Sequence, residues 1–347
     1  MNRTLPITIL VITLILNALP VKSQDPQFSQ FYAIPLYLAP SFAGASEGSR
    51  IVLNYRNQWS SIPGAFNSYS ASYDQYFPQY NSGAGLVLFR DAAGSGNLAS
   101  TEARIVYSYN IQITRFWHVR PGIHFLYSYR SINFSKLTMV DGDQIVPATQ
   151  SNSFELKDTK ERHGYYDAAA SVLAYNRRHW IGATCSHLVK PNQSLTGIES
   201  KVRFHWTGFG GTKIGINGRL GKYNEESISL AFLYKMQAKY DQLDIGAYWF
   251  KNSSFVISRY NTALIIGAWY RGIPFMKKEG FSNYDAAIVM VGLKLEDDWK
   301  FGYSYDFTVS KLFGSTNGSH EFSVIYEFGK DRKRRRRRKS VVPCPKF

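Results

Sequence analysis

Glu102-Ala103-Arg104-Ile105-Val106-Tyr107-Ser108-Tyr109-Asn110 is the stretch that decides the fold. In an extended chain, successive side chains point to opposite faces. Ala103, Ile105, Tyr107 and Tyr109 then share one face, and Glu102, Arg104, Ser108 and Asn110 share the other. A helix would mix the two sets, so the stretch reads as a strand with one apolar and one polar side. The pattern recurs along the chain. Ile51, Leu53, Tyr55 and Trp59 alternate with Arg50, Asn54, Arg56 and Gln58; Tyr69, Ala71 and Tyr73 alternate with Ser68, Ser70, Ser72 and Asp74. Near the end, Phe322, Val324, Tyr326 and Phe328 alternate with Glu321, Ser323 and Glu327.

Punctuated by Gly, Asn, Asp and Pro, this periodicity predicts about fourteen strands, at roughly 50–59, 66–77, 83–91, 98–111, 117–131, 165–175, 179–189, 203–217, 226–236, 242–250, 255–270, 284–295, 299–308 and 319–328. An even number suits a bacterial transmembrane barrel. The connections sort by parity. Those after even-numbered strands are short, such as Asn176-Arg177-Arg178 and Asp297-Asp298. Those after odd-numbered strands include every long one: Ser131 to Gly164, Lys190 to Val202 and Arg271 to Asn283. A transmembrane barrel has short periplasmic turns and long outer loops, whereas a soluble sandwich has no reason to sort them. The parity also puts both ends of the mature chain on the periplasmic side.

Composition is compatible with this architecture. Aromatics make up 16% of the 347 residues and charged residues 19%. The mean hydropathy of −0.25 excludes a helical membrane protein but not a barrel, because half of each strand faces water or the lumen. A large soluble all-β protein would share these averages. The N-terminus narrows the choice. Asn2-Arg3 is a basic opening, Leu5 to Leu19 an apolar core, and Val21-Lys22-Ser23 a cleavage site before Gln24. The apolar run is short for a membrane anchor, and no Cys near the cut suggests a lipoprotein. The expected organisation is a signal peptide over 1–23, an N-terminal periplasmic or plug-like segment over 24–49, an outer-membrane β-barrel over 50–328 and a basic periplasmic tail over 329–347.

Searching for chemistry returns little. The seven His (118, 124, 163, 179, 187, 205, 320) are scattered and show no metal-ligand spacing, and His118 and His124 share a strand face as parity alone would give. No catalytic set, cofactor or metal is expected. Gly208-Phe209-Gly210-Gly211 falls inside a strand, where Gly marks a bend or close approach. Glu102 and Asp167 are carboxylates on lumen faces that only the accident of folding would pair. Cys185 reads as a small packing residue.

The tail carries the strongest local signal. Lys330, Arg332, Lys333, Arg334, Arg335, Arg336, Arg337, Arg338 and Lys339, less Asp331, give +8 of the chain's formal +16. Such a run usually meets nucleic acid, but an exported protein encounters little of it, and none is expected here. A solvated, passive tail is the plain reading. A docking tail for anionic periplasmic surfaces is the one favoured, since like charges keep it extended and speed encounter. Val341-Val342-Pro343-Cys344-Pro345-Lys346-Phe347 then forms a stiff end in which Cys344 is either a free thiol or a partner in an intermolecular disulfide. The long fifth loop, with Lys157, Lys160, Glu161 and Arg162, is the largest candidate surface for an outside partner.

The first mature residues resemble the PorP/SprF family. Gln24-Asp25-Pro26-Gln27-Phe28-Ser29-Gln30-Phe31-Tyr32, then Pro35-Leu36-Tyr37-Leu38-Ala39-Pro40 and Ala43-Gly44, are similar to the family's opening motifs. Tyr55-Arg56-Asn57-Gln58-Trp59 resembles its first strand, and Cys344-Pro345-Lys346-Phe347 its ending. Ile34 and Ala39 replace the Asn residues usual before the two prolines, and Ser41 replaces Ala. Asp25, Pro26, Phe28, Gln30, Pro35 and Pro40 are thus the N-terminal motif residues, and Arg332 to Lys339 with Cys344 and Phe347 the candidate partner-binding tail. The resemblance implies a non-enzymatic outer-membrane component of type IX secretion and gliding machinery. It implies periplasmic ring proteins and a secreted adhesin client as partners, beside the outer-membrane lipid itself. The alternative is an outer-membrane porin or hydrophobic-solute transporter.

Overall fold

A strand that is apolar on one side and polar on the other cannot satisfy itself in lipid, where every backbone N–H and C=O must find a partner within the protein. The computed structural model shows how this chain answers that demand. It describes residues 25–46, 48–62, 64–94, 98–133, 138–141, 144–147, 160–195, 199–217, 225–238, 240–253, 262–274, 284–296, 298–309, 316–329 and 342. The strands are β1 (Ser49–Gln58), β2 (Phe66–Phe77), β3 (Ser82–Ala93), β4 (Leu98–Tyr109), β5 (Ile111–Gln112), β6 (His118–Ser131), β7 (Thr138–Asp141), β8 (Gln144–Pro147), β9 (Arg162–Tyr175), β10 (His179–Ser186), β11 (His205–Asn217), β12 (Glu226–Gln237), β13 (Tyr240–Ser253), β14 (Thr262–Gly272), β15 (Tyr284–Leu295), β16 (Trp299–Thr308) and β17 (Ser319–Phe328).

Fourteen of them close into an antiparallel ring, as the periodicity predicts. β4 pairs with β6, β6 with β9, and the ring shuts where β1 meets β17, from Ser49 opposite Phe328 to Gln58 opposite Ser319. β5 is a two-residue appendage on β6, and β7 and β8 form a separate hairpin inside the long fifth loop. Neither departure was legible, because two- and four-residue strands carry too few alternations to register. Among the described residues no helix is long and apolar enough to cross a membrane.

Alternation sets the two faces. Ile51, Leu53, Leu86, Leu88, Ile105, Phe125, Ile181, Leu230 and Val289 are exposed on the outside, as a lipid-facing wall requires. Ser68, Ser70, Ser72, Asp74, Arg120, Asp244, Ser304 and Glu321 are buried inside. On β10, Trp180 and Thr184 face inward and Ile181 outward, and Cys185 shares the parity of Ile181. Every connection longer than eight residues (132–161, 187–204, 273–283 and 309–318) lies at one end of the ring, here the rim. The opposite end, where β1 starts and β17 finishes, is the base.

Some boundaries moved. The strand expected over 179–189 ends at Ser186, because His187 and Lys190 take positive φ (61° and 50°) and break the extended chain despite the β-favouring Leu188 and Val189. The strand expected over 255–270 is described as β14 from Thr262, its residues 255–261 lying outside the described residues, and β13 before it runs on to Ser253.

The N-terminal segment does not merely close the mouth at the base. It threads the lumen. Asp25 lies at the rim beside His187 and His205, whereas Gly44 lies at the base, donating its N–H to Asp74 at 2.7 Å. The first described residue is therefore at the opposite end from Ser49 and Phe328, where the loop parity expected both ends to lie together. Two short helical turns shape the segment: α1 (Pro35–Leu38) and a 3-10 turn over Pro40–Phe42. Each opens on Pro, whose fixed φ suits a first turn that needs no N–H there.

Candidate functional site

The plugged lumen is the site the fold builds, and it has three levels. At the base the barrel wall grips the plug's backbone. Arg120 donates to the carbonyls of Ala43 (2.5 Å) and Gly44 (3.1 Å), Ser108 donates to Ala43 O at 2.8 Å, and Asp74 also accepts from Arg50 at 2.8 Å. The approach is close enough to require glycine in the wall. A Cβ on Gly83 would sit 2.1 Å from the Ala43 carbonyl oxygen, and one on Gly122 would sit 2.3 Å from the Ser41 nitrogen.

Higher up, aromatic rings fill the bore. Phe28 packs edge-on to Tyr37 and Phe89, with centroids 5.2 and 5.9 Å away. Phe31 meets Trp269 at 4.7 Å, and Phe42 meets Phe209 at 5.4 Å. Tyr32 accepts a hydrogen bond from Trp180 Nε1 (3.2 Å) and gives one to the Gly210 carbonyl (3.4 Å). The glycines of β11 leave room for this: a Cβ on Gly211 would lie 2.4 Å from the Trp180 ring.

Beside these rings lies a buried ionic cluster centred on Ser29 and Gln30. Ser29 donates its N–H to Glu321 Oε2 (2.7 Å) and its hydroxyl to Asp306 (2.5 Å). Gln30 donates its N–H to Glu321 Oε1 (3.1 Å) and its amide to Ser304 (3.2 Å), while Ser323 donates to the Gln30 oxygen at 2.6 Å. Arg56 ties the set together, reaching Ser29 Oγ at 2.7 Å, Asp306 at 2.8 Å and Glu321 at 3.1 Å. Arg271 adds bonds to Ser29 (3.0 Å), Asp306 (3.3 Å) and Asp244 (3.1 Å). Charges this far from water persist only when paired. The plug adds polar atoms to the wall's own ion pairs, which still leave Arg56 Nε and Asp306 Oδ1 without a hydrogen-bond partner.

At the rim, Asp25 Oδ2 lies 2.9 Å from both His187 Nε2 and His205 Nδ1, and Asp167 Oδ2 lies 2.6 Å from His187 Nδ1. The two imidazoles stack at 17°. Burial works against a charge on Asp25, but the positive charge of His187 and hydrogen bonds from both histidines outweigh it and hold the carboxyl well below its usual range. Burial likewise disfavours the His187 imidazolium. The negative charge of Asp25, with the hydrogen bonds His187 donates to Asp167 and Asp25, overrides it and pushes His187 up to about 10.

The motif residues now have places. Asp25 is at the rim. Pro26 accepts at its carbonyl from Tyr37 Oη (3.1 Å), Phe28 is in the aromatic layer and Gln30 in the ionic cluster, while Pro35 and Pro40 open the two helical turns. Arg332 to Lys339, Cys344 and Phe347 lie outside the described residues, as does the stretch of the fifth loop that contains Lys157. Val342 is described: it is buried and belongs to the same apolar cluster as the plug. The expectation for Glu102 and Asp167 also resolves. Glu102 pairs with Arg104 at 2.5 Å, Asp167 pairs with His187, and the two do not meet. Sequence reasoning missed the partnership of Arg56, Arg271, Asp306 and Glu321, residues far apart in the chain. The one available signal was Arg56 itself, the charged residue inside the Tyr55–Trp59 motif.

The family model for the type IX secretion system membrane protein PorP/SprF matches residues 21–326. No curated protein matches the chain in sequence. Among similar solved structures, the outer membrane protein Omp33 of Acinetobacter baumannii is 8% identical, with a TM-score of 0.42 over 82% of this chain and 100% of that one. The toluene transporter TodX of P. putida is 10% identical, with a TM-score of 0.44 over 84% of this chain and 92% of that one. The KdgM porin is 11% identical, with a TM-score of 0.35 over 80% and 99%. The family match covers the plug and almost the whole ring, and on it the chain belongs to the PorP/SprF family of type IX secretion system membrane proteins.

Proposed function

We propose that this protein is a non-enzymatic, sealed mount in the outer membrane, which supports export or surface attachment of a secreted adhesin and docks to periplasmic ring proteins. The observation that carries this reading is the plug. A lumen filled from rim to base, by a segment whose polar atoms bond to buried ion pairs of the wall, is built to stay closed. Function then moves to what the barrel presents: rim loops on the outer side and the basic tail at the base.

Deleting residues 330–347 tests it. The barrel should still insert, because the ring closes before Gly329, while display of the adhesin should be lost. Normal display in that strain would remove the docking role from the tail. The second reading, a porin or hydrophobic-solute transporter, requires the plug to leave, and single-channel recordings of the intact protein separate the two.

A further inference from the structure

We infer that Asp25, His187 and His205 form a binding site for a zinc-class divalent transition metal, which clamps the start of the plug to the rim of the barrel. Their donor atoms lie within 4.8 Å of one another, with the Asp25 oxygen 2.9 Å from each imidazole nitrogen. Around a tetrahedral zinc with bonds of about 2.0–2.1 Å, neighbouring ligand atoms stand about 3.3 Å apart. The cluster is therefore within a few tenths of an ångström of that spacing at the two edges shared by Asp25.

The surroundings match a metal site as well as the donors do. His187 presents Nε2 to the cluster while its Nδ1 faces Asp167 at 2.6 Å. A carboxylate behind a histidine ligand fixes the ring and its tautomer and makes it a better donor. Asp167 is buried (side chain 1% exposed), whereas His187, His205 and Asp25 are 12%, 18% and 27% exposed, so an ion has a way in from the rim. Two imidazole nitrogens and one carboxylate oxygen favour zinc, cobalt or a similar metal over calcium or magnesium, which take oxygen ligands. On binding, the metal replaces both protons that the imidazoles point at Asp25: the one on His187 Nε2 goes to solvent, and the one on His205 Nδ1 leaves that nitrogen by exchange through solvent, with His205 keeping its proton on Nε2 instead. A fourth position remains for water or a side chain.

The sequence leads to no expected metal, because its seven histidines are scattered and show no ligand spacing. The fold cancels that distance: the connection from β10 to β11 brings both rings to one rim, and the plug delivers the carboxylate.

The test uses full-length protein in detergent, stripped with chelator, in a Cys344→Ser background so that the tail thiol cannot compete. Zinc should bind at one equivalent, and cobalt should give the visible absorption of a tetrahedral site. Asp167→Asn should weaken zinc binding roughly 10–100-fold, as loss of a supporting carboxylate does elsewhere. Asp25→Asn and His205→Gln should weaken it at least as much, and His163→Ala should leave it unchanged. Heat-modifiable gel migration checks that each variant is folded. If His205→Gln does not fold, Asp25→Asn decides the question, since Asp25 belongs to no strand. Absence of saturable zinc binding by the parent protein, or binding equal in parent, Asp25→Asn and His205→Gln, would overturn the proposal.

Discussion

Arg56 shows most directly how single residues hold this molecule together. Its guanidinium bonds to Ser29, Asp306 and Glu321, so Arg56→Ala leaves two carboxylates and a hydroxyl without their common donor. Breaking a buried ion pair by removing one partner costs about 3–5 kcal/mol. A fall of that size should appear in the urea unfolding midpoint of the vesicle-inserted barrel. Gly122→Val acts on the same plug through volume. The added carbon would overlap the Ser41 backbone, which must move. Chymotrypsin should then cleave at plug aromatics such as Phe28 and Tyr32, which are buried in the parent protein and should be protected there. At this scale the sequence is half legible. Strand parity places Arg56 in the lumen, but nothing local reveals that its partners are Asp306 and Glu321, some 250 residues on.

Among the elements, the strands were legible and the plug was legible only as an exception. The strand expected over 66–77 is β2 from Phe66 to Phe77, because its alternation, with Ser68, Ser70, Ser72 and Asp74 inward, leaves one register open. The plug has no period at all. Its Pro and aromatic content marks it as irregular, and its path through the bore follows from contacts with eight or more strands that no local pattern encodes. Removing 25–45 should therefore unblock the bore while sparing the ring, whose backbone bonds are all between strands. Planar-bilayer recordings should show steady conductance for the deletion and none for the parent. Equal conductance from both would mean that the plug does not seal the barrel.

For the whole molecule, the two ends of the barrel have different work. The rim carries the long connections, and the base emits the tail, with Val342 tucked into the apolar cluster. Crosslinking from outer membranes should recover periplasmic ring proteins with the intact chain and lose them when residues 330–347 are removed. Ser29 is held by Glu321, near the far end of the chain, and β17 also makes the seam with β1. The plug, near the start of the chain, cannot be locked until the last strand arrives, and contacts so distant in sequence form slowly. Sealing the seam and capturing the plug are one step, so a barrel that inserts without its last strand is both open at the side and hollow.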